Sequence, residues 1–485
     1  MPIAVTLAGF NLDREALEAR LRGTPEAEAG ALSPETLSAA YARISRDPRH
    51  VSEIRAAARR EVDKARRSNR TIIFDMGHAS VAEHAVFNLD VSGISRLCVE
   101  ALEHHRLASY TEKSQRYIRL EEACVLPEEI RISPLAGEYV ELSQQLFGAY
   151  QALAGRLLEQ ARRECGPSAP ERELRSRANE DARYLLPLCA EAQLGMTVNA
   201  RTLERMIARL ASAERDEERR LARALHEAVR DIAPSVIRYT EPTPYLQQTP
   251  GALRAQAARC PIGVETGGAE TAEAVRLAAY TMDPDRTVAE ALLFESSTGS
   301  AEDIRRTVGA LSKPDLRGLY REVFCRMQPW DMLPRAFEQV TFTFELVLSA
   351  AAFGQLKRHR MATILAQPYQ AGLGWTVPVS VRRAGAEAEF AGWMEKSAAL
   401  SRRIAERSPQ AAAYILTNAH RRRVRLGING RALGHFFRLR CAPEAQWDIR
   451  ELAGAMLERV RAVFPLGGAF YGGKDCVEEL RRTFD

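Results

Sequence analysis

A motif that recurs once along the chain constrains its fold more than any other feature. The first copy runs Glu103-His104-His105-Arg106-Leu107-Ala108-Ser109-Tyr110-Thr111-Glu112-Lys113-Ser114-Gln115-Arg116-Tyr117. The second is Lys357-Arg358-His359-Arg360-Met361-Ala362-Thr363-Ile364-Leu365-Ala366-Gln367-Pro368-Tyr369. Both read His-Arg-hydrophobic-Ala-Ser/Thr. The likeness extends further: Asn199-Ala200-Arg201-Thr202-Leu203 matches Asn429-Gly430-Arg431-Ala432-Leu433, and Leu221-Ala222 to Pro234 matches Leu452-Ala453 to Pro465. From Arg106 to Asn199 is 93 positions and from Arg360 to Asn429 is 69, so the first copy carries a middle segment longer by 24. A chain of this kind folds as two tandem copies of one unit. The first repeat spans 1–240, a linker marked by Thr-Glu-Pro-Thr-Pro and Thr-Pro-Gly spans 241–267, and the second repeat spans 268–485.

The 485 residues suffice for two cores. A net charge of +5 is small for this length; it suits an anionic small ligand and does not point to nucleic acid. No apolar run reaches membrane-spanning length, and the first ten residues lack the basic flank of a secretion signal. The eight cysteines form no Cys-x-x-Cys pair, which suits reduced thiols in a cytoplasmic protein. His78, His84, His104 and His105 include no His-x-x-x-His pair, so no metal site is expected.

Periodicity predicts a helix over 33–66, opened by Ser33 and Pro34. It predicts a strand over Ala85–Val91, a helix over Ser95–Arg106, and helices over 136–165 and 197–232. After the linker the pattern restarts: a helix from Ala269, a strand over Thr341–Glu345, a helix over Ala350–Arg360, and helices over Asn429–Arg440 and Asp448–Val463. Gly467 to Gly473 reads as a turn rather than a dinucleotide fingerprint.

The two copies have kept different chemistry. Ser114 and Arg116, with Arg106 beside them, suit a phosphate; the second copy has Pro368 and Gln370 there, and proline removes a donor. Arg183 in Ala182-Arg183-Tyr184-Leu185 aligns with Ala413. Conversely, Gln355 aligns with Ala101. Asn429, Leu433, Phe436 and Arg440 form one helical stripe, so Arg440 ends a core-facing row and needs a carboxylate or a ligand as partner. The same steps in the first copy give Leu210, or Arg209 if a one-residue deletion lies inside that helix. The first copy thus keeps Glu112, Ser114, Arg116 and Arg183, and the second keeps Gln355, Arg358 and Arg440. One composite site drawing on both repeats explains this division.

Gly77-His78-Ala79-Ser80-Val81-Ala82-Glu83-His84, then Ser95-Arg96, then His104-His105-Arg106 with Ser114 downstream, resembles the flavin-dependent thymidylate synthase family, whose signature is Arg-His-Arg, seven residues, Ser. Ala445-Gln446-Trp447-Asp448-Ile449-Arg450 and Asn429-x-Arg431 are similar to its C-terminal helices. The resemblance implies an α/β (α+β) fold, each copy a twisted sheet with a long helical segment. It implies an enzyme that methylates dUMP at C5, with FAD as cofactor and methylenetetrahydrofolate and NADPH as co-substrates. It further implies a homodimer that forms a pseudo-tetramer. Flavin contacts would come from His84, His105, Arg106, Asn199 and Arg201, and from Arg358, His359, Arg360, Asn429 and Arg431. Nucleotide contacts would come from Gln355, Ser114, Gln115, Arg116, Arg183 and Arg440, with Glu112 beside them. Arg440 would act catalytically by favouring ionisation of the uracil ring. The chain departs from the family at His104, which replaces an arginine, and at Leu210, Pro368 and Ala413. Two other readings share these residues: the same fold acting on another pyrimidine nucleotide, and a silent flavin- or nucleotide-binding scaffold.

Overall fold

The computed structural model describes residues 2–25, 31–166, 168–261 and 274–482. The chain divides into two compact units. Unit one comprises 1–149, 186–265 and 400–415; unit two comprises 150–185, 266–399 and 416–485. Each unit therefore includes a segment that belongs in sequence to the other repeat.

Unit one is built on an antiparallel sheet of β1 (Ala4–Phe10), β2 (Val86–Ser95), β3 (Ala108–Glu112) and β4 (Glu191–Asn199), in the order β1-β2-β4-β3. Unit two repeats this with β5 (Val275–Tyr280), β6 (Thr341–Ser349), β7 (Thr363–Ala366) and β8 (Arg421–Asn429), in the order β5-β6-β8-β7. The central strands alternate as a half-covered strand must. In β2, Phe87, Leu89 and Val91 are buried while Asn88 and Asp90 are exposed. In β6, Phe342, Phe344, Leu346 and Leu348 are buried. The outer strands β1 and β5 each carry a register shift, between Leu7 and Gly9 and between Leu277 and Ala279. The β2–β4 ladder has a further shift between Val91 and Ile94, where Gly93 has φ +71° and a Cβ would sit 2.3 Å from the Pro2 carbonyl oxygen. The β6–β8 ladder runs unbroken from Thr341 to Ser349.

Side-chain caps start the helices that succeed the central strands β2, β4, β6 and β8. Ser95 Oγ accepts from Cys98 N at 3.0 Å and Ser349 Oγ accepts from Ala352 N at 3.0 Å. Asn199 and Asn429 cap the next pair in the same way, accepting from Thr202 N at 2.9 Å and Ala432 N at 2.8 Å. The cores differ in kind. Unit one's is mainly aliphatic, whereas unit two packs Tyr320, Phe324, Phe337, Phe464 and Phe470 together, with Phe324 and Phe470 stacked at 4.2 Å.

Several expected boundaries change. The 33–66 helix is three pieces, Pro34–Arg43, Ile44–Arg46 and Val51–Arg60, succeeded by Val62–Arg70; Asp47-Pro48 interrupts it, because proline disfavours helix at the residue before it. The 197–232 helix is two, Ala200–Ala211 and Asp216–Val229, and its first residues close β4. The helix expected from Ala269 begins outside the described residues; the stretch from 275 onward forms β5 and then the helix Pro284–Ser296. The linker contains a helix, Pro244–Arg259, capped by Thr243 and burying no residue. Counted from the Asn caps, the counterpart of Arg440 is the buried Leu210; Arg209 is exposed.

Candidate functional site

In unit two a hydrogen-bonded chain joins a buried carboxylate to Arg440. Asp448 Oδ2 accepts from Ser349 Oγ at 2.5 Å and from Tyr184 OH at 2.8 Å. The Tyr184 oxygen in turn accepts from Gln446 Nε2 at 2.8 Å. Gln446 Oε1 accepts from Ile449 N at 3.3 Å, capping the helix Trp447–Val463, and from Gln355 Nε2 at 3.2 Å. Arg440 donates through NH2 to the Gln355 backbone oxygen at 3.1 Å and through NH1 to Gln355 Oε1 at 3.5 Å. Its Nε donates to His359 Nε2 at 2.9 Å. That bond requires His359 to be neutral with its proton on Nδ1. Burial, reinforced by the charge of Arg440 and by His435, lowers the imidazole to about 3. Burial also raises the Asp448 carboxyl, against the opposing pull of its Ser349 and Tyr184 bonds.

Tyr184 belongs in sequence to the first repeat, and so does Arg183. Both fall in unit two. The Ala419 amide donates to the Tyr184 carbonyl at 3.1 Å, and Asn418 Nδ2 donates to the Arg183 carbonyl at 2.9 Å. Arg183 is 7% exposed, and its charge counts among those that lower the Asp448 carboxyl. The Tyr184 ring stacks on Trp447 at 5.7 Å, and Trp447 Nε1 donates to Asp181 Oδ1 at 2.7 Å. Arg183, Gln355, His359 and Arg440 are therefore gathered in one unit around Tyr184, Gln446 and Asp448.

Unit one has part of the same construction. Glu217 Oε2 accepts from Ser95 Oγ at 2.7 Å and from Tyr414 OH at 2.6 Å. The Tyr414 carbonyl accepts from the Cys189 amide at 2.8 Å, mirroring Tyr184 and Ala419. The chain stops there. Arg215 stands at the helix cap where unit two has Gln446, and it pairs with Glu218. His105 Nδ1 donates to the Leu102 carbonyl at 3.1 Å, where His359 receives Arg440.

Unit one instead holds the loop suited to phosphate. Ser114 Oγ accepts from Arg116 N at 3.1 Å and Tyr117 N at 3.3 Å, so its hydroxyl shapes the turn. The Arg116 guanidinium lies 5.5 Å from the Tyr117 ring centroid, and Gln115 beside it is half-buried. Glu112 pairs with Arg96, which gives it a structural partner within the sheet region. In unit two that pair is replaced by Ala350 and Ala366. The corresponding loop there is filled in: Arg422 lies between Phe353 and Tyr369, 4.5 and 4.2 Å from their centroids, and donates to the Gln367 carbonyl at 2.8 Å.

Besides His105 and His359, the flavin candidates fall into three groups. His84, Arg106, Arg358 and Arg360 are exposed. Arg201 and Arg431 are each oriented by a glutamate, Glu83 at 2.5 Å and Glu338 at 3.0 Å. Asn199 and Asn429 spend their amide oxygens on helix caps. Sequence reasoning gives no role to Tyr184, Gln446 or Asp448. A signal for them exists: Gln446 and Asp448 lie in the Ala445–Arg450 motif, and Tyr184 adjoins Arg183.

No helix among the described residues is long and apolar enough to cross a membrane. The family described as thymidylate synthase complementing protein matches residues 30–235 and 276–466, one region in each repeat. A UPF0159 protein of Thermoplasma acidophilum is 26% identical over 471 residues, covering 88% of this chain and 92% of its own. A flavin-dependent thymidylate synthase of Clostridium tetani is 29% identical over 215 residues, covering 44% of this chain and 84% of its own. A solved UMP/dUMP methylase PolB from Streptomyces cacaoi, bound with 5-Br dUMP, is 18% identical with a TM-score of 0.33, over 40% of this chain and 92% of that one. With the family matched over most of both repeats, the chain belongs to the flavin-dependent thymidylate synthases, in a two-copy arrangement.

Proposed function

We propose that the protein is a flavin-dependent enzyme that methylates dUMP at C5 to give dTMP, with methylenetetrahydrofolate as carbon donor and NADPH as reductant. The observation that carries this reading is the gathering of Arg183, from the first repeat, with Gln355 and Arg440 of the second. Imidazole and amide groups orient the Arg440 guanidinium. So held, it can stabilise negative charge that develops on a uracil ring, which is where a fixed cation acts on rate. Ser114 and Arg116 offer a hydroxyl and a guanidinium to the phosphate, supplied by a second copy of the chain in a homodimer that forms a pseudo-tetramer.

The residues present fit FAD. Arg106, Arg358, Arg360 and His84 present exposed donors suited to a pyrophosphate, and Arg201 and Arg431 are already oriented by carboxylates. Bound flavin supplies the hydride chemistry that the chain's own side chains lack. The test is the absorption spectrum of the purified protein with added FAD, and then tritium release from 5-tritiated dUMP in the presence of both co-substrates. A flavin spectrum and release are expected. Binding of flavin with no release from dUMP, but turnover of another pyrimidine nucleotide, would move the substrate and keep the fold. Absence of flavin binding at micromolar concentration would end the enzyme reading.

A further inference from the structure

We propose, taking the uridylate-methylating reading above as its basis, that Tyr184 and Gln446 are positioning residues: they fix the Gln355 amide and, through it, the Arg440 guanidinium. The comparison of the units isolates them. The serine, carboxylate and tyrosine occur in both, as Ser95, Glu217 and Tyr414 and as Ser349, Asp448 and Tyr184. That triad belongs to the fold. Among the described residues, only in unit two does the tyrosine oxygen accept from a glutamine that reaches a second glutamine and then an arginine.

Each link has one possible direction. The Ile449 amide can only donate, so Gln446 receives it on Oε1 and turns Nε2 to the Tyr184 oxygen, whose hydroxyl donates to Asp448. Gln446 must then present Nε2 to Tyr184 and Oε1 to Ile449 N and Gln355. Gln355 in turn presents Nε2 to Gln446, which leaves Oε1 facing Arg440. An amide whose nitrogen and oxygen are assigned by partners on both sides cannot flip without breaking a buried bond. Tyr184 and Gln446 touch no reacting atom; they act through Gln355 and Arg440.

Tyr184→Phe removes one oxygen and keeps the ring stacked on Trp447. Gln446→Leu removes the next link, and Tyr414→Phe is the matched control in unit one. Two readouts are needed. The first is the reactivity of Arg440 toward phenylglyoxal, mapped by mass spectrometry on the full chain. It is expected to rise in Tyr184→Phe and Gln446→Leu and to stay at the wild-type level in Tyr414→Phe. The second is the single-turnover rate of tritium release set against dUMP affinity. Loss of one buried hydrogen bond should slow the rate about tenfold in the unit-two variants while the dissociation constant moves by less than about threefold. Equal Arg440 reactivity in all four proteins overturns the relay, whatever the kinetics. An equal kinetic loss in Tyr414→Phe reduces the effect to general destabilisation and also overturns it. Raised reactivity with unchanged turnover overturns the claim that the geometry matters to the reaction. A wild-type protein inert toward dUMP defeats the functional reading instead, and the reactivity measurement still decides the relay.

Discussion

Units one and two share a sheet order and a buried carboxylate–tyrosine–serine triad, yet diverge in what lies beyond the tyrosine hydroxyl. In unit one Glu217 and Tyr414 end at a neighbouring Arg215–Glu218 pair. In unit two the same triad continues through Gln446 and Gln355 to Arg440. The loops show the reverse bias: unit one keeps Ser114 and Arg116, and unit two fills the place with the Phe353–Arg422–Tyr369 stack. A feature present in both units is best read as architecture. A feature present in one is where function is to be sought.

The comparison is tested most severely at Arg96 and Glu112. Glu112 is a nucleotide candidate by sequence, but its side chain is 4% exposed and pairs with Arg96. Arg96→Ala should destabilise unit one by about 3–5 kcal/mol, because it removes a charged partner from a buried carboxylate. Arg96→Ala with Glu112→Ala copies Ala350 and Ala366 of unit two and should cost less than about half of that. Calorimetric melting of both variants decides; equal losses would mean that Glu112 has another function to lose.

A smaller effect separates the loops. Ser114→Ala or Arg116→Ala should weaken dUMP binding by about one to two decades, since each removes a donor worth roughly 1.5–3 kcal/mol to a charged group. Gln370→Ala should change affinity by less than about twofold. Titration calorimetry that finds equal losses from both loops would break the assignment of phosphate to unit one.

The smallest expected effect is on acid stability. His359 is held neutral in the folded protein, lowered from 6.5 to about 3, and takes up a proton on unfolding once the pH is below 6.5. Its contribution is intact above pH 6.5 and is lost as pH falls toward 3. By pH 5.5 the loss is about 1 kcal/mol. The raised Asp448 carboxyl works in the opposite sense, so the comparison must be wild type against His359→Gln. All four tryptophans, Trp330, Trp375, Trp393 and Trp447, lie in unit two, so their fluorescence reads this unit selectively. Identical slopes between pH 7 and 5.5, about 30-fold in proton concentration, would mean that His359 titrates normally.

Much of the fold is legible from the chain. The duplicated motif and its matching Asn-x-Arg segments announce two copies of one sheet, and the 24-residue difference in spacing falls where the helix Ala136–Cys165 exceeds Glu387–Ala405 and the further helix Glu171–Ala182 is inserted. Ser95, Ser349, Asn199 and Asn429 are caps because a polar residue before an apolar helical run satisfies a free amide. Of the eight strands among the described residues, periodicity predicts only β2 and β6; β4 and β5 show two different reasons why the others are hidden. β4 has only Leu194, Met196 and Val198 buried among polar neighbours and runs directly into a helix, so its alternation merges with the helical period. β5 is a short edge strand, and its one fully covered residue is Val275. The site is half legible. Complementary losses single out Arg183, Gln355 and Arg440, but hydrogen bonding to Tyr184 depends on a carboxylate far away in sequence, which no local pattern encodes.

The exchanged segments carry a further consequence. Residues 150–185 complete unit two and residues 400–415 complete unit one. Cutting the chain in the linker would therefore leave each fragment without a piece of its own sheet's surroundings, and the cut chain should work only when both fragments are present together. Fusion turns what would be a chance meeting of two copies into a fixed one-to-one partnership. In such a partnership a part lost from one copy is covered by the other, and the loss can then no longer be undone by separating them. The duplication thereby becomes a one-way passage: two interchangeable copies become two dependants, neither of which supplies the whole of its own unit.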